Sequence, residues 1–174
     1  MKNSCLLLLL LVFSSFIIPD KIMKKADKVI AKYYEIENFS KEIIEVSDEI
    51  NALTPSEFGK SNFFTIHSEK NLIGYGYIGS AASKTADFDY LVLFDSDMII
   101  IKSKVLIYRE EYGGEIGSKR WLKQFNGKSL ASDEIIYGDN IVPISGATIS
   151  VRSMTNSMND LLKSIKTLKN KKVL

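Results

Sequence analysis

The residues best suited to chemistry in this chain gather in one short stretch, Ser145-Gly146-Ala147-Thr148-Ile149-Ser150. Directly after it, Val151, Met154, Met158, Leu161, Leu162, Ile165 and Leu168 recur at helical spacing, so the stretch stands at the start of an amphipathic helix. The first amides of a helix lack intrahelical partners and carry partial positive charge. One use of the hydroxyls is plain capping, with Thr148 or Ser150 accepting from those amides. The other is phosphate binding. Gly146 and Ala147 leave the backbone open to close approach, Ser145, Thr148 and Ser150 offer three hydroxyls, and Arg152 adds a cation in the first turn. Spacing alone leaves both readings open.

Other chemistries are thinly furnished. His67 is the single histidine and sits in a strand-like run, Phe63–Ser68, with no evident acidic partner. A surface or packed histidine is the plainer reading. Cys5, the single cysteine, excludes an internal disulfide and a cysteine-based zinc or iron–sulfur site. Asp95 and Asp97 fall in a turn between two strand patterns, where carboxylates serve backbone amides; no metal site is expected. With 23 basic and 21 acidic residues the net charge is only +2, too little to point to nucleic acid. The basic residues form no broad stripe in the sequence; Lys163, Lys166, Lys169, Lys171 and Lys172 read as a solvated helix end. No general acid–base pair stands out, so no catalytic residue is expected. That composition argues against hydrolysis or group transfer.

The elements around the stretch can be read in outline. Residues 1–18, "MKNSCLLLLLLVFSSFII", carry one early lysine and then an apolar run of about 14 residues, about 21 Å as helix against ~30 Å of hydrocarbon. The segment is expected to be a signal peptide or an uncleaved N-terminal anchor. Either places the body of the protein outside the cytoplasmic membrane or on its outer face. A helix is expected over 21–35, with Ile22, Ala26, Val29, Ile30 and Tyr33 on one side. Residues 39–58 are ambiguous between a short strand and a helical turn, broken by Pro55. Strand patterns follow: "NFFTIHS" and "LIGYGYIGSAA" around "EKN", then "FDYLVLF" and "MIIIKSKVLIYRE" around "DSD". Gly74, Gly76 and Gly79 inside the second run indicate a twisted or bulged strand, or close approach of a ligand. A glycine-rich loop leads to a short helix presenting Trp121, Leu122 and Phe125. The sum is an α+β fold, an antiparallel β meander or half-barrel flanked by helices. Its expected parts are a leader over 1–19, a helical or irregular extension over 20–60, and one domain over 61–170.

Four of these segments together resemble the FMN-binding domain family: "SGATIS", the hairpin "FDYLVLFDSDMIIIKSKVLIYREEYGGEIG", the helix "WLKQFNGKSL" and the glycine-rich strand "GYGYIG". The likeness spans residues 72–165. Tyr112 stands where the family commonly has proline, and Val142-Pro143-Ile144 stand where an acidic residue often precedes the motif. The resemblance implies an FMN cofactor joined through its phosphate to Thr148. Ser145, Gly146, Ala147 and Ser150 would shape the pocket, with Glu110 and Gly113 from the loop after the hairpin and Tyr112 or Trp121 against the flavin ring. It also implies a flavinyltransferase that installs the cofactor, and membrane redox proteins as electron donor or acceptor. An exported flavin reductase holding FMN noncovalently, and a flavinless binding module, remain the alternatives.

Overall fold

The computed structural model describes residues 18–59 and 61–174. The apolar segment read as a leader or anchor lies outside the described residues, except for its last residue. Among the described residues no helix is long and apolar enough to cross a membrane.

Helix α1 (Asp20–Tyr34) leads into strand β1 (Ser40–Ile43) and the short helix α2 (Asp48–Asn51). Strands β2 (Phe63–Ser68), β3 (Asn71–Ala81), β4 (Phe88–Phe94) and β5 (Ile100–Ile107) follow. Helix α3 (Lys119–Leu122) then precedes the long helix α4 (Thr148–Asn170). The strands form one open antiparallel sheet in the order β1-β2-β3-β4-β5, the expected meander. The ambiguous segment 39–58 resolves into both of its readings: β1 pairs with β2 and extends the sheet, and α2 follows.

Both faces of the sheet are covered. On one, Ile22, Ala26 and Ile30 of α1 pack with Phe64, Ile66, Ile78, Leu91 and Leu93. On the other, Val151, Met154, Met158, Leu161, Leu162, Ile165 and Leu168 of α4 pack with Phe63, Tyr77, Phe88, Tyr90, Val92 and Phe94. Every one of these α4 positions is buried, and each such side chain contributes about 1.5–3 kcal/mol of transfer free energy. Cover on two sides explains why β4 is buried at all seven positions and reads as an apolar run, broken only by Asp89 with its Arg109 partner, rather than an alternation.

The glycines of β3 make room for rings. A Cβ on Gly76 would strike the Phe64 ring, and one on Gly79 would meet the Tyr90 ring and hydroxyl. At Gly74 it would strike the Tyr34 hydroxyl and the Phe94 carbonyl. A register shift between β2 and β3 at Ile66/His67 also gives the strand an irregularity. The β4–β5 turn is closed by Asp95, whose Oδ1 accepts from the amides of Asp97 (3.0 Å) and Ile99 (2.9 Å). This is the turn duty expected of that carboxylate.

Candidate functional site

Three segments meet at the N-terminal tip of α4: the β3–β4 loop, the loop after β5, and residues 144–150. The helix begins at Thr148, three residues before the apolar period starts at Val151, because its first turn is carried by Thr, Ile and Ser. Its N-cap is Ala147 (φ −125°, ψ 24°), and no side chain caps it. The expectation that Thr148 or Ser150 caps the helix is therefore not met. Thr148 is itself the first helical residue and is exposed, as are Ser145 and Gly146. Gly146 has φ +77°, with open space where a Cβ would stand. The tip thus presents uncapped amides beside two accessible hydroxyls.

Ser150 points the other way. It is buried, and its Oγ lies 2.7 Å from Ser83 Oγ and 3.1 Å from the Tyr108 hydroxyl. Tyr108 donates to the Tyr112 carbonyl at 3.1 Å, which can only accept. Ser150 thus bridges the Ser83 and Tyr108 hydroxyls. This hydroxyl chain ties the β3–β4 loop, the end of β5 and the start of α4 together. An anion at the tip would meet two hydroxyls, Ser145 and Thr148, and not the three read from spacing.

Gly113 is the hinge of the same junction. It takes φ +77°, and a Cβ there would lie 2.7 Å from the Ala147 Cβ and 3.1 Å from the Tyr108 hydroxyl. Only the bare backbone of this loop fits against Ala147. Glu110 acts one step further out. Its carboxylate accepts from the Thr85 amide (2.6 Å), the Thr85 hydroxyl (2.9 Å) and the Ala86 amide (3.3 Å). These bonds, the Thr85 amide foremost, hold its pKa down from the ordinary 4.5 to about 2. Glu110 therefore pins the β3–β4 loop to the loop after β5.

The approach to the motif is fixed from α3 and from α4. Trp121 Nε1 donates to the Val142 carbonyl (2.8 Å), and Gln124 Oε1 accepts from the Val142 amide (2.8 Å). Trp121 is buried edge-on against Phe125, with ring centroids 5.3 Å apart. It holds backbone and offers no face to a flavin, contrary to the stacking role expected for it. Tyr112, at 79% exposure, does offer its ring. Asn159 of α4 staples Ile135 by both amide (3.0 Å) and carbonyl (2.7 Å), which orders the long connection from α3. Arg152 lies over the Tyr137 ring, 4.8 Å from its centroid, instead of reaching toward the tip. His67 is elsewhere, on β2, with Nε2 2.9 Å from Thr65 Oγ1.

Sequence reasoning missed Ser83, Thr85, Tyr108 and Gln124. The hydroxyl-rich turn "SKT" between two strands was the available signal for the first two. Gln124 lay inside the helix segment already singled out.

Residues 84–163 match the FMN-binding domain family. That stretch resembles an FMN-binding domain and takes in both the loop after β5 and the tip of α4. Solved structures agree in fold: NqrC of Shewanella oneidensis superposes with a TM-score of 0.57 at 16% identity, over 86% of this chain and 98% of that one. The C subunit of the Na(+)-translocating NADH-quinone reductase of Parabacteroides distasonis superposes with a TM-score of 0.52 at 17% identity, over 86% and 92%. No curated protein matches by sequence. The cofactor implied is FMN, and the tip fits it. Uncapped amides and two exposed hydroxyls suit the phosphate. Exposed apolar surface on Ile149 (50%), Val142 (63%) and Tyr112 (79%), in the segments that meet there, suits a ring.

Proposed function

We propose that this protein is an extracytoplasmic electron-transfer flavoprotein whose FMN is esterified through its phosphate to Thr148. The observation that carries the reading is the exposed Thr148 hydroxyl at an uncapped helix tip, with no side chain competing for the amides beside it. Bound FMN supplies the redox chemistry; the polypeptide supplies attachment, orientation and shielding. Thr148 holds the phosphate, with Ser145 and the open backbone of Gly146 and Ala147 around it. Ser150 and Gly113 set the tip against the loop after β5, and Glu110 holds the neighbouring loop in place. Attachment requires a flavinyltransferase, and electrons come from and go to membrane redox proteins. Export through the N-terminal apolar segment places the carrier on the outer side, where a permanent bond keeps the cofactor from dilution.

The test is flavin fluorescence of the denatured polypeptide, made with a flavinyltransferase in an export-competent host. Wild type is expected to retain flavin through the gel, and Thr148→Ala to lose it. Flavin that washes out of wild type would favour a noncovalent flavin reductase instead.

A further inference from the structure

A second feature lies away from the flavin residues. Between α1, β5 and α3 runs a cleft of about 640 Å³. Six lysines line it in pairs: Lys28 and Lys32 from α1, Lys102 and Lys104 from β5, Lys119 and Lys123 from α3 and its continuation. Among the described residues none of the six makes a salt bridge; the lysines that do are Lys41 and Lys163. On a chain with net charge +2, this concentration is a marked local excess. It corrects the reading that basic residues do not gather. The charges also repel one another: desolvation first, then Lys119, Lys104 and Lys32, lowers the pKa of Lys102.

The floor is apolar. Val29, Tyr33 and Leu122 line the cleft, and Lys102 Nζ stands 5.9 Å from the Tyr33 ring centroid. Ser103 joins floor to wall by donating to the Leu122 carbonyl at 3.1 Å, so β5 and α3 form one rigid side. A free phosphate would satisfy the lysines and leave the apolar floor wet. A purely carboxylate-bearing peptide would do likewise. The occupant that meets both halves carries anionic groups and hydrocarbon in one molecule. One wall of the cleft belongs to α1, the helix that directly follows the apolar run of residues 5–18. Lysines near such a run are attracted to anionic headgroups, each strongly enough to matter.

We infer that this cleft is a binding site for an anionic phospholipid, with the phosphate among Lys32, Lys102 and Lys119 and hydrocarbon against Val29, Tyr33 and Leu122. Lysine suits the task, as a flexible point charge that follows a mobile headgroup without demanding one geometry. The inference goes beyond the flavin reading and is independent of it.

The full chain is to be mixed with vesicles of phosphatidylcholine alone, or of phosphatidylcholine with phosphatidylglycerol. Acetylation of each lysine is then followed by mass spectrometry. Both vesicles offer the same hydrocarbon, so they differ in headgroup charge. With phosphatidylglycerol, Lys32, Lys102 and Lys119 are expected to react at least about threefold more slowly, while Lys163, Lys166 and Lys171 of the α4 end keep their rates. In the double variant Lys102→Gln/Lys119→Gln, checked for an unchanged thermal midpoint, protection of Lys32 should fall away. Equal rates in the two vesicles, uniform slowing of all lysines, or protection of Lys32 that survives in the double variant would each overturn the site. So would equal protection by ADP, or by a soluble glutamate-rich peptide, in phosphatidylcholine vesicles. Those two outcomes would reassign the cleft to a nucleotide or to an acidic protein segment.

Discussion

The starts of the short helices and the start of the long one are built on opposite principles. Ser47 caps α2 by accepting from the Ile50 amide, and Ser118 caps α3 by accepting from the Trp121 amide. Both are four-residue helices. The 23-residue α4 has hydroxyls on both sides of its first turn, yet Ala147 occupies the N-cap and no side chain closes it. Ser150 is turned into the hydroxyl chain with Ser83 and Tyr108, and Thr148 faces solvent. Serine closes the two short starts; α1, with Pro19 at its N-cap, also has no side-chain cap, but only α4 leaves its amides open beside an exposed threonine hydroxyl.

The contrast can be broken at several points. The largest effect is expected from Thr148→Ala, which removes the only hydroxyl at the first position of α4 and should abolish flavin retained after denaturation. Gly113→Ala comes next. Its Cβ would press on Ala147 and Tyr108 from a left-handed backbone, so a loss of about 1–3 kcal/mol is expected with reduced flavin content. Denaturant unfolding and the flavin-to-protein ratio read the two effects separately. Ser150→Ala leaves Tyr108 and Ser83 without their shared partner and should cost about 1–3 kcal/mol, read as a lower thermal midpoint.

Acid probes the same junction more gently. Glu110 has a folded pKa near 2 against an ordinary 4.5, so its contribution is fully present above about pH 4.5 and is lost as pH falls toward 2. Amide exchange at Thr85 and Ala86 should accelerate over that window, and Glu110→Gln should reproduce the acceleration at neutral pH. The smallest change is expected from Ser118→Ala. Losing that cap should cost about 1 kcal/mol by thermal unfolding and leave flavin content unaltered. Should Ser118→Ala instead deplete flavin, the division between closed and open helix starts would fail.

Much of this architecture was legible because it is periodic. The α4 stripe from Val151 to Leu168, the α1 stripe and the four later strands follow directly from spacing. The turn at Asp95 and the buried face of Trp121, Leu122 and Phe125 were equally plain. What escaped was set by contacts distant in sequence. Ser150 read as a cap or a phosphate-binding hydroxyl until Ser83 and Tyr108 were placed beside it. Trp121 looked free to stack until its indole N–H was found on the Val142 carbonyl. The lysine cleft was invisible because its pairs at 28/32, 102/104 and 119/123 adjoin only after β5 pairs with β4 and α1 lies across the sheet. The start of α4 was read late for a local reason: Thr148 and Ile149 are exposed and β-branched, so neither period nor propensity marks them as helical.

Ile18 is buried with Ile22 and Ala26, and the Pro19 carbonyl accepts from the amides of Ile22 (2.9 Å) and Met23 (3.1 Å). The chain therefore enters its folded body without slack. From Ile18 onward the entry to α1 is packed against the same sheet whose other face carries α4, so a hold on Ile18 is passed to the tip of α4 through packed side chains.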